Sequence, residues 1–239
     1  MSVPTPQEET IHPLIDHEPE SEFIPFYAGV GKFRDQVVLI SGGHKGIGRA
    51  VSLAFANEGA LIAVIYEGDE EEAQKTKLMI ENFDAHCLLL PGDIGDKNFC
   101  TIAAEKTIET FGRIDILVNN YADDSFLENI AEINEEQIER TFRSHLFSYF
   151  FMVQPVLPFM QEKPGSILNT TSDYLATNGA VVAFTRSLSE SLREKGIRVN
   201  AIDPGRGEPN QMAGAFTWLA SKEASCITGQ LIEGRSYES

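Results

Sequence analysis

The sequence predicts a single α/β domain built on a doubly wound, mostly parallel sheet. Three observations point that way. From residue 36 onward, short apolar runs alternate with helix-periodic stretches. Several of these runs are apolar on both faces, as parallel strands covered by helices must be. The first run also meets a glycine-dense turn that opens directly into a helix, Val37-Val-Leu-Ile-Ser-Gly-Gly-His-Lys-Gly-Ile-Gly48.

In chain order, residues 1–32 are expected to form an acidic arm. Pro4, Pro6, Pro13, Pro19 and six acidic residues precede Lys32, the first Lys or Arg. Such a segment buries too little apolar surface to fold by itself. The domain is expected over residues 33–239. Val37–Ile40 reads as the first strand, and residues 47–58 as a helix with apolar positions Ile47, Val51, Leu53, Ala54 and Phe55. Strand Leu61–Ile65 and helix 69–82 follow, then His86–Leu90 with 96–111. Next come Ile114–Val118 with 135–153, Ser166–Asn169 with 175–195, and Ile197–Ile202 with 211–221. Ile227–Ile232 closes the sheet. In such sheets ligands gather at the carboxyl ends of the strands. The glycine turn, Asp93, Asn119, Ser172 and Pro204 all follow a strand in the sequence.

Composition narrows the partners. The net charge of −17 argues against nucleic acid and anionic membrane surfaces, since both need a basic face. No apolar run approaches the ~20 residues that span a bilayer. The N-terminus lacks the basic and apolar pattern of a secretory leader, so the expected setting is cytoplasmic. Cys87, Cys100 and Cys226 are too scattered for a disulfide framework or a metal site. Asn169-Thr170-Thr171 matches a glycosylation sequon, but it lies in an expected buried strand.

The glycine turn has a physical rationale. Glycines permit positive φ and let backbone N–H groups approach a phosphate. The helix N-terminus adds unpaired N–H groups and partial positive charge. Taken with Asp93-Ile94, Asn119-Asn120-x-Ala122, Tyr174 and Pro204-Gly205, the spacing Ser41-Gly42-x-x-x-Gly46-x-Gly48 resembles the short-chain dehydrogenase/reductase family over roughly residues 33–232. Phe147-Ser-Tyr-Phe-Phe151, Gly165-Ser-Ile-Leu-Asn-Thr-Thr171, Gly179-Ala-Val-Val-Ala-Phe-Thr-Arg186 and Lys195-Gly-Ile-Arg-Val-Asn200 resemble its N-terminally extended branch. That branch holds glucose/ribitol dehydrogenase-like and aldehyde-reductase-like members. The resemblance implies a Rossmann-type fold and an NAD(P)-dependent oxidoreductase acting on a carbonyl or alcohol. It assigns Ser41, Gly42, Gly46, Ile47 and Gly48 to the pyrophosphate turn, Asp93 and Ile94 to adenine, and Pro204 and Gly205 to the nicotinamide side. Asn119 is expected to tie strand ends together. Tyr66 stands where NAD-preferring relatives carry an acid, with Glu67 next, whereas Lys45 suits a 2′-phosphate. On balance NADP(H) is favoured over NAD(H).

The catalytic half departs from the family pattern. There a Tyr transfers the proton, and a Lys four residues on stabilises its phenolate. A phenol of pKa ~10 needs such a cation to act near neutrality. Here Tyr174 is followed by Asn178 at the lysine position. His145 replaces the family's relay Asn, and Ser172 precedes Tyr174 by only two residues. After Gly205 the chain runs through Arg206-Gly-Glu-Pro209 almost directly into the last helix, so most of the usual substrate lobe is missing. Three readings follow: an oxidoreductase using His145, Ser172 and Tyr174; a catalytically impaired nucleotide-binding protein; or a non-redox cyclase or isomerase. Helices 135–153 and 175–195 match the family's dimer-forming pair, the latter carrying Val181, Val182, Phe184, Leu188 and Leu192. A homodimer or homotetramer is therefore implied.

Overall fold

A computed structural model describes residues 28–120, 133–160, 164–171, 175–205 and 209–234. The expectations for residues 1–27, and for Tyr121, Ala122, Ser172, Tyr174 and Arg206, lie outside the described residues. Seven strands form one sheet: β1 (Val37–Ser41), β2 (Leu61–Tyr66), β3 (Cys87–Pro91), β4 (Ile116–Asn119), β5 (Ser166–Thr170), β6 (Arg198–Asp203) and β7 (Leu231–Glu233). Their order is β3-β2-β1-β4-β5-β6-β7, and every neighbouring pair is parallel. The chain order reverses between β1 and β4, which is the switch point of a doubly wound sheet.

The helices are α1 (Gly46–Asn57), α2 (Glu70–Glu81), α3 (Lys97–Phe111), α4 (Glu135–Phe142), α5 (Ser148–Met160), α6 (Leu175–Leu192) and α7 (Pro209–Ala220). Alternate strand residues face opposite layers. Val38 and Ile40 of β1 join a core with α1 and α7, while Leu39 joins the core beneath α3 and α5. The first core extends to Phe33, whose ring meets Phe55 edge-on at 4.9 Å. Upstream of Phe33, the Val30 and Lys32 N–H groups donate to Glu58 Oε2 at 3.0 and 3.1 Å.

Three boundaries differ from the sequence-based expectation. The helix expected to stop at residue 153 passes through a π-helical turn, Arg143–Phe147, and continues as α5 to Met160 despite Pro155 and Pro158. Each interior proline costs about 3 kcal/mol. Met152, Val153, Val156 and Met160 nevertheless keep helical spacing into the second core, and each buried apolar side chain returns roughly 1.5–3 kcal/mol. Burial outweighs local propensity here. The last strand begins at Leu231 rather than Ile227. Residues 227–230 are held to β6 by a mixture of side-chain and backbone bonds, with Asn200 Nδ2 donating to Ile227 O, Val199 N to Thr228 Oγ1, Gly229 N to Val199 O and Ala201 N to Gln230 O. β4 starts at Ile116, just after Asp115, whose N–H donates to Val37 O at 3.0 Å and whose carboxylate accepts from Val37 N at 2.9 Å and from Arg113.

Candidate functional site

All strands being parallel, the segments that follow them share one edge of the sheet. The turn after β1 shows how sequence sets local shape. Gly42 and Gly46 have φ of 64° and 52°. A Cβ on Gly48 would fall on the Gly42 carbonyl oxygen, so only glycine lets α1 start this close to the strand. Ser41 Oγ accepts from Asn120 N at 3.1 Å across the switch point. Lys45, exposed, is the residue before α1, and its side chain does not cap that helix. By contrast Asp69, Asp96 and Asn134 cap α2, α3 and α4. The N-terminus of α1 thus keeps the open donors that an anion needs. Ile47 is half-buried against the α1 core.

Tyr66 ends β2 with its hydroxyl donating to Glu70. Burial, reinforced by Glu70, pushes the phenol up to about 12. Asp93 is exposed and accepts from Gly95 N at 2.6 Å, while Ile94 is buried beneath α3. The cap of α3 is Asp96, not Asp93: Asp96 accepts from Asn98 N at 2.9 Å. Asn119 does tie strand ends. Its Nδ2 donates to Asn169 Oδ1 at 2.8 Å, and Asn169 Nδ2 donates on to Thr185 Oγ1 of α6 at 2.9 Å. Pro204 and Gly205 follow β6, with Gly205 N donating to Asp203 Oδ1 at 2.9 Å.

Of the catalytic candidates, His145 is described. It is buried inside the π-helical turn, its Nδ1 3.5 Å from Thr177 Oγ1 in the first turn of α6. π-Turns within helices often mark functional sites. Asn178 is half-buried one residue after Thr177. The fold therefore brings His145 and Asn178 to the same helix junction. Ser172 and Tyr174 lie between β5 and α6, outside the described residues.

The roles of several site residues escaped the sequence reading. Asn120 Oδ1 accepts from Thr170 Oγ1 at 3.2 Å, and its Nδ2 reaches Gly42 O at 3.5 Å, joining three strand ends. His44, Asn119 Oδ1, Thr171 Oγ1 and Asn210 Oδ1 hold buried polar atoms with no partner among the described residues. The available signal was the polar trio Asn169-Thr170-Thr171 closing an apolar strand, which reads first as a sequon. Asn169 is fully buried, which excludes that use in the folded chain.

A family model described as short chain dehydrogenase matches residues 36–218. The chain belongs to the short-chain dehydrogenase family. Among its relatives is the NADPH-dependent aldehyde reductase 1, chloroplastic, of Arabidopsis thaliana, 43% identical over 86% of this chain and 87% of the relative. The glucose and ribitol dehydrogenase homolog of Oryza sativa is 35% identical over 95% of this chain and 94% of the relative. In fold, a short chain dehydrogenase from Burkholderia cenocepacia, solved in complex with NADP, superposes with a TM-score of 0.81 at 22% identity. That match covers 84% of this chain and 97% of the other. Among the described residues no helix is long and apolar enough to cross a membrane, and no metal-ligating cluster occurs.

Proposed function

We propose that this short-chain dehydrogenase is an NAD(P)-dependent oxidoreductase, favouring NADP(H), that interconverts a small carbonyl compound and its alcohol through an altered proton-handling site. The supporting observation is the glycine turn running into an α1 that the Lys45 side chain does not cap, at the edge where buried polar atoms await partners. These features fit a dinucleotide. Gly42, Gly46, Ile47 and Gly48 would hold its pyrophosphate, and Lys45 a 2′-phosphate. Asp93 and Ile94 would lie by the adenine, and Pro204, Gly205 and Asn178 toward the nicotinamide half. The NADPH-dependent relative supports the cofactor choice.

A nicotinamide held there would supply or take up the hydride. The chain must then move a proton at the substrate oxygen. Asn178 carries no charge, so it cannot lower a neighbouring phenol toward neutrality. Imidazole titrates in that range without help. His145 is therefore assigned the proton, with Ser172 and Tyr174 orienting the carbonyl. The π-turn and Thr177 fix the ring of His145 beside α6.

A second reading, nucleotide binding without turnover, has its own support. The alignment with the Arabidopsis relative spans 251 residues but takes in only 86% of this 239-residue chain, so the relative has segments with no counterpart here. Titration with NADPH and NADH, followed by nicotinamide fluorescence, tests both readings. Micromolar NADPH binding with oxidation of NADPH by an aldehyde panel, abolished in His145→Phe while binding persists, is the expected result. Binding without turnover on any carbonyl favours the second reading. Failure to bind either cofactor up to millimolar concentration overturns both.

A further inference from the structure

His44 sits inside the glycine turn and is only 2% exposed. Both ring nitrogens, Nδ1 and Nε2, are buried with no hydrogen-bond partner among the described residues. Such atoms bear their full desolvation penalty, and each calls for an explanation. The residue's backbone is firmly held. Its carbonyl accepts from Arg49 Nε at 3.1 Å, Arg49 Nη2 at 2.8 Å and Thr76 Oγ1 at 2.6 Å. Three donors from α1 and α2 thus fix the peptide while the imidazole lacks a partner. The ring lies 5.9 Å from that of Tyr66, tilted by 49°. Tyr66 ends β2, the strand end where dinucleotide folds place the ribose 2′ position. Its own hydroxyl is committed to Glu70.

We propose that His44 recognises the 2′-phosphate of NADP(H), gaining a proton as the phosphate arrives and so making NADP(H) affinity fall as pH rises. The inference rests on the NADP(H) reading above. The imidazole is held below its ordinary value of 6.5, first by burial, then by Lys45 and Arg49, against Asp69 and Glu72, which favour the charged form. The Tyr66 phenol, at about 12, stays neutral throughout this range. Without ligand His44 is therefore neutral at pH 7, with one donor and one acceptor nitrogen. A phosphate offers acceptors only, and its negative charge favours the imidazolium. The bound-state value then rises above the free-state value. Between the two, binding takes up a proton and tightens as pH falls.

The test uses the full-length chain with adenosine 2′,5′-bisphosphate and adenosine 5′-monophosphate as probes. Calorimetry is run between about pH 6.5 and 8.5, where a phosphate with a second pKa near 6 stays mostly dianionic. Buffers of different ionisation enthalpy give the proton count. Wild type should take up protons with the bisphosphate but not the monophosphate, its affinity for the former falling by up to about tenfold per pH unit. His44→Gln should remove that slope and weaken the bisphosphate roughly tenfold to a hundredfold, leaving the monophosphate unchanged. The proton count needs wild type alone, so poor folding of the variant does not spoil the test. If both nucleotides bind without differential proton uptake, or His44→Gln keeps the slope, this inference falls and the cofactor reading stands. If neither binds, both fall.

Discussion

Arg49 and Glu72 show how much one pair of side chains organises around the cofactor turn. Arg49 donates to the His44 carbonyl and pairs with Glu72, joining α1 to α2. The Glu72 carboxyl is held below its ordinary 4.5, chiefly by the Arg49 hydrogen bond. Its folded-state value lies below the unfolded one. The pair therefore contributes stability that is fully present above pH 4.5 and is lost as pH falls through the lower, folded-state value. About a third of the Glu72 side chain is exposed, so the contribution is screened and on the order of 1 kcal/mol. Glu72→Gln should reduce unfolding free energy by about that amount at pH 7. The gap from wild type should narrow as pH falls below 4.5 and through the lowered Glu72 value, as measured by urea denaturation at each pH. A gap that persists in acid would mean that packing rather than charge joins the two helices. The same scale shows why the site was only partly legible. Lys45 and Gly48 declare themselves by residue type and spacing. Asn169 and Thr185 matter because the fold buries them together, and His44 because the fold buries it beside Tyr66; one-dimensional spacing carries no trace of either pairing.

At the scale of elements, alternation of strand and helix was readable almost throughout, because each strand and helix carries its own apolar period. Misreadings arose where tertiary burial overrode a local signal. Pro155 and Pro158 are stop signals in sequence, yet the apolar stripe from Met152 to Met160 holds α5 together. Nothing in the sequence marks the π-turn, since it comes from inserting one residue's worth of backbone between two helices. α4, leading into that turn, is exposed at all but two positions, Thr141 and Phe142, and has little packing to hold it. Its stability therefore leans on the capping box, in which Asn134 accepts from Gln137 N at 2.9 Å and Gln137 answers at 3.0 Å. Asn134→Ala should cost about 1 kcal/mol and speed amide exchange across residues 135–140. If His145 is placed by this helix, the variant should lower kcat with little change in NADPH affinity. Unchanged exchange at α4 would show that packing at Thr141 and beyond, rather than the cap, sets the start of the helix.

For the whole molecule, the opposing quantities are an apolar patch and a large like charge. Phe147 and Phe150 are 43% and 42% exposed, and the Phe150 ring lies 4.2 Å from that of Phe184. α5 and α6 thus present adjoining aromatic rings where the family resemblance puts a dimer contact, and exposed apolar patches of this kind mark interaction surfaces. Joining two copies also brings together two chains of −17 net charge. Their repulsion acts over a Debye length of ~30 Å at 0.01 M salt and only ~8 Å at physiological strength. Burial of the aromatic faces does not depend on screening. A homodimer built on this patch should therefore tighten as salt rises from low to physiological levels, the reverse of an interface held by ion pairs. Sedimentation of the full-length chain across that range should show the shift. Phe150→Asp adds a charge at the centre of the patch and should leave a monomer at every salt concentration with the fold intact by circular dichroism. Association that weakens with salt, or survives Phe150→Asp, would place the contact on another face of the molecule.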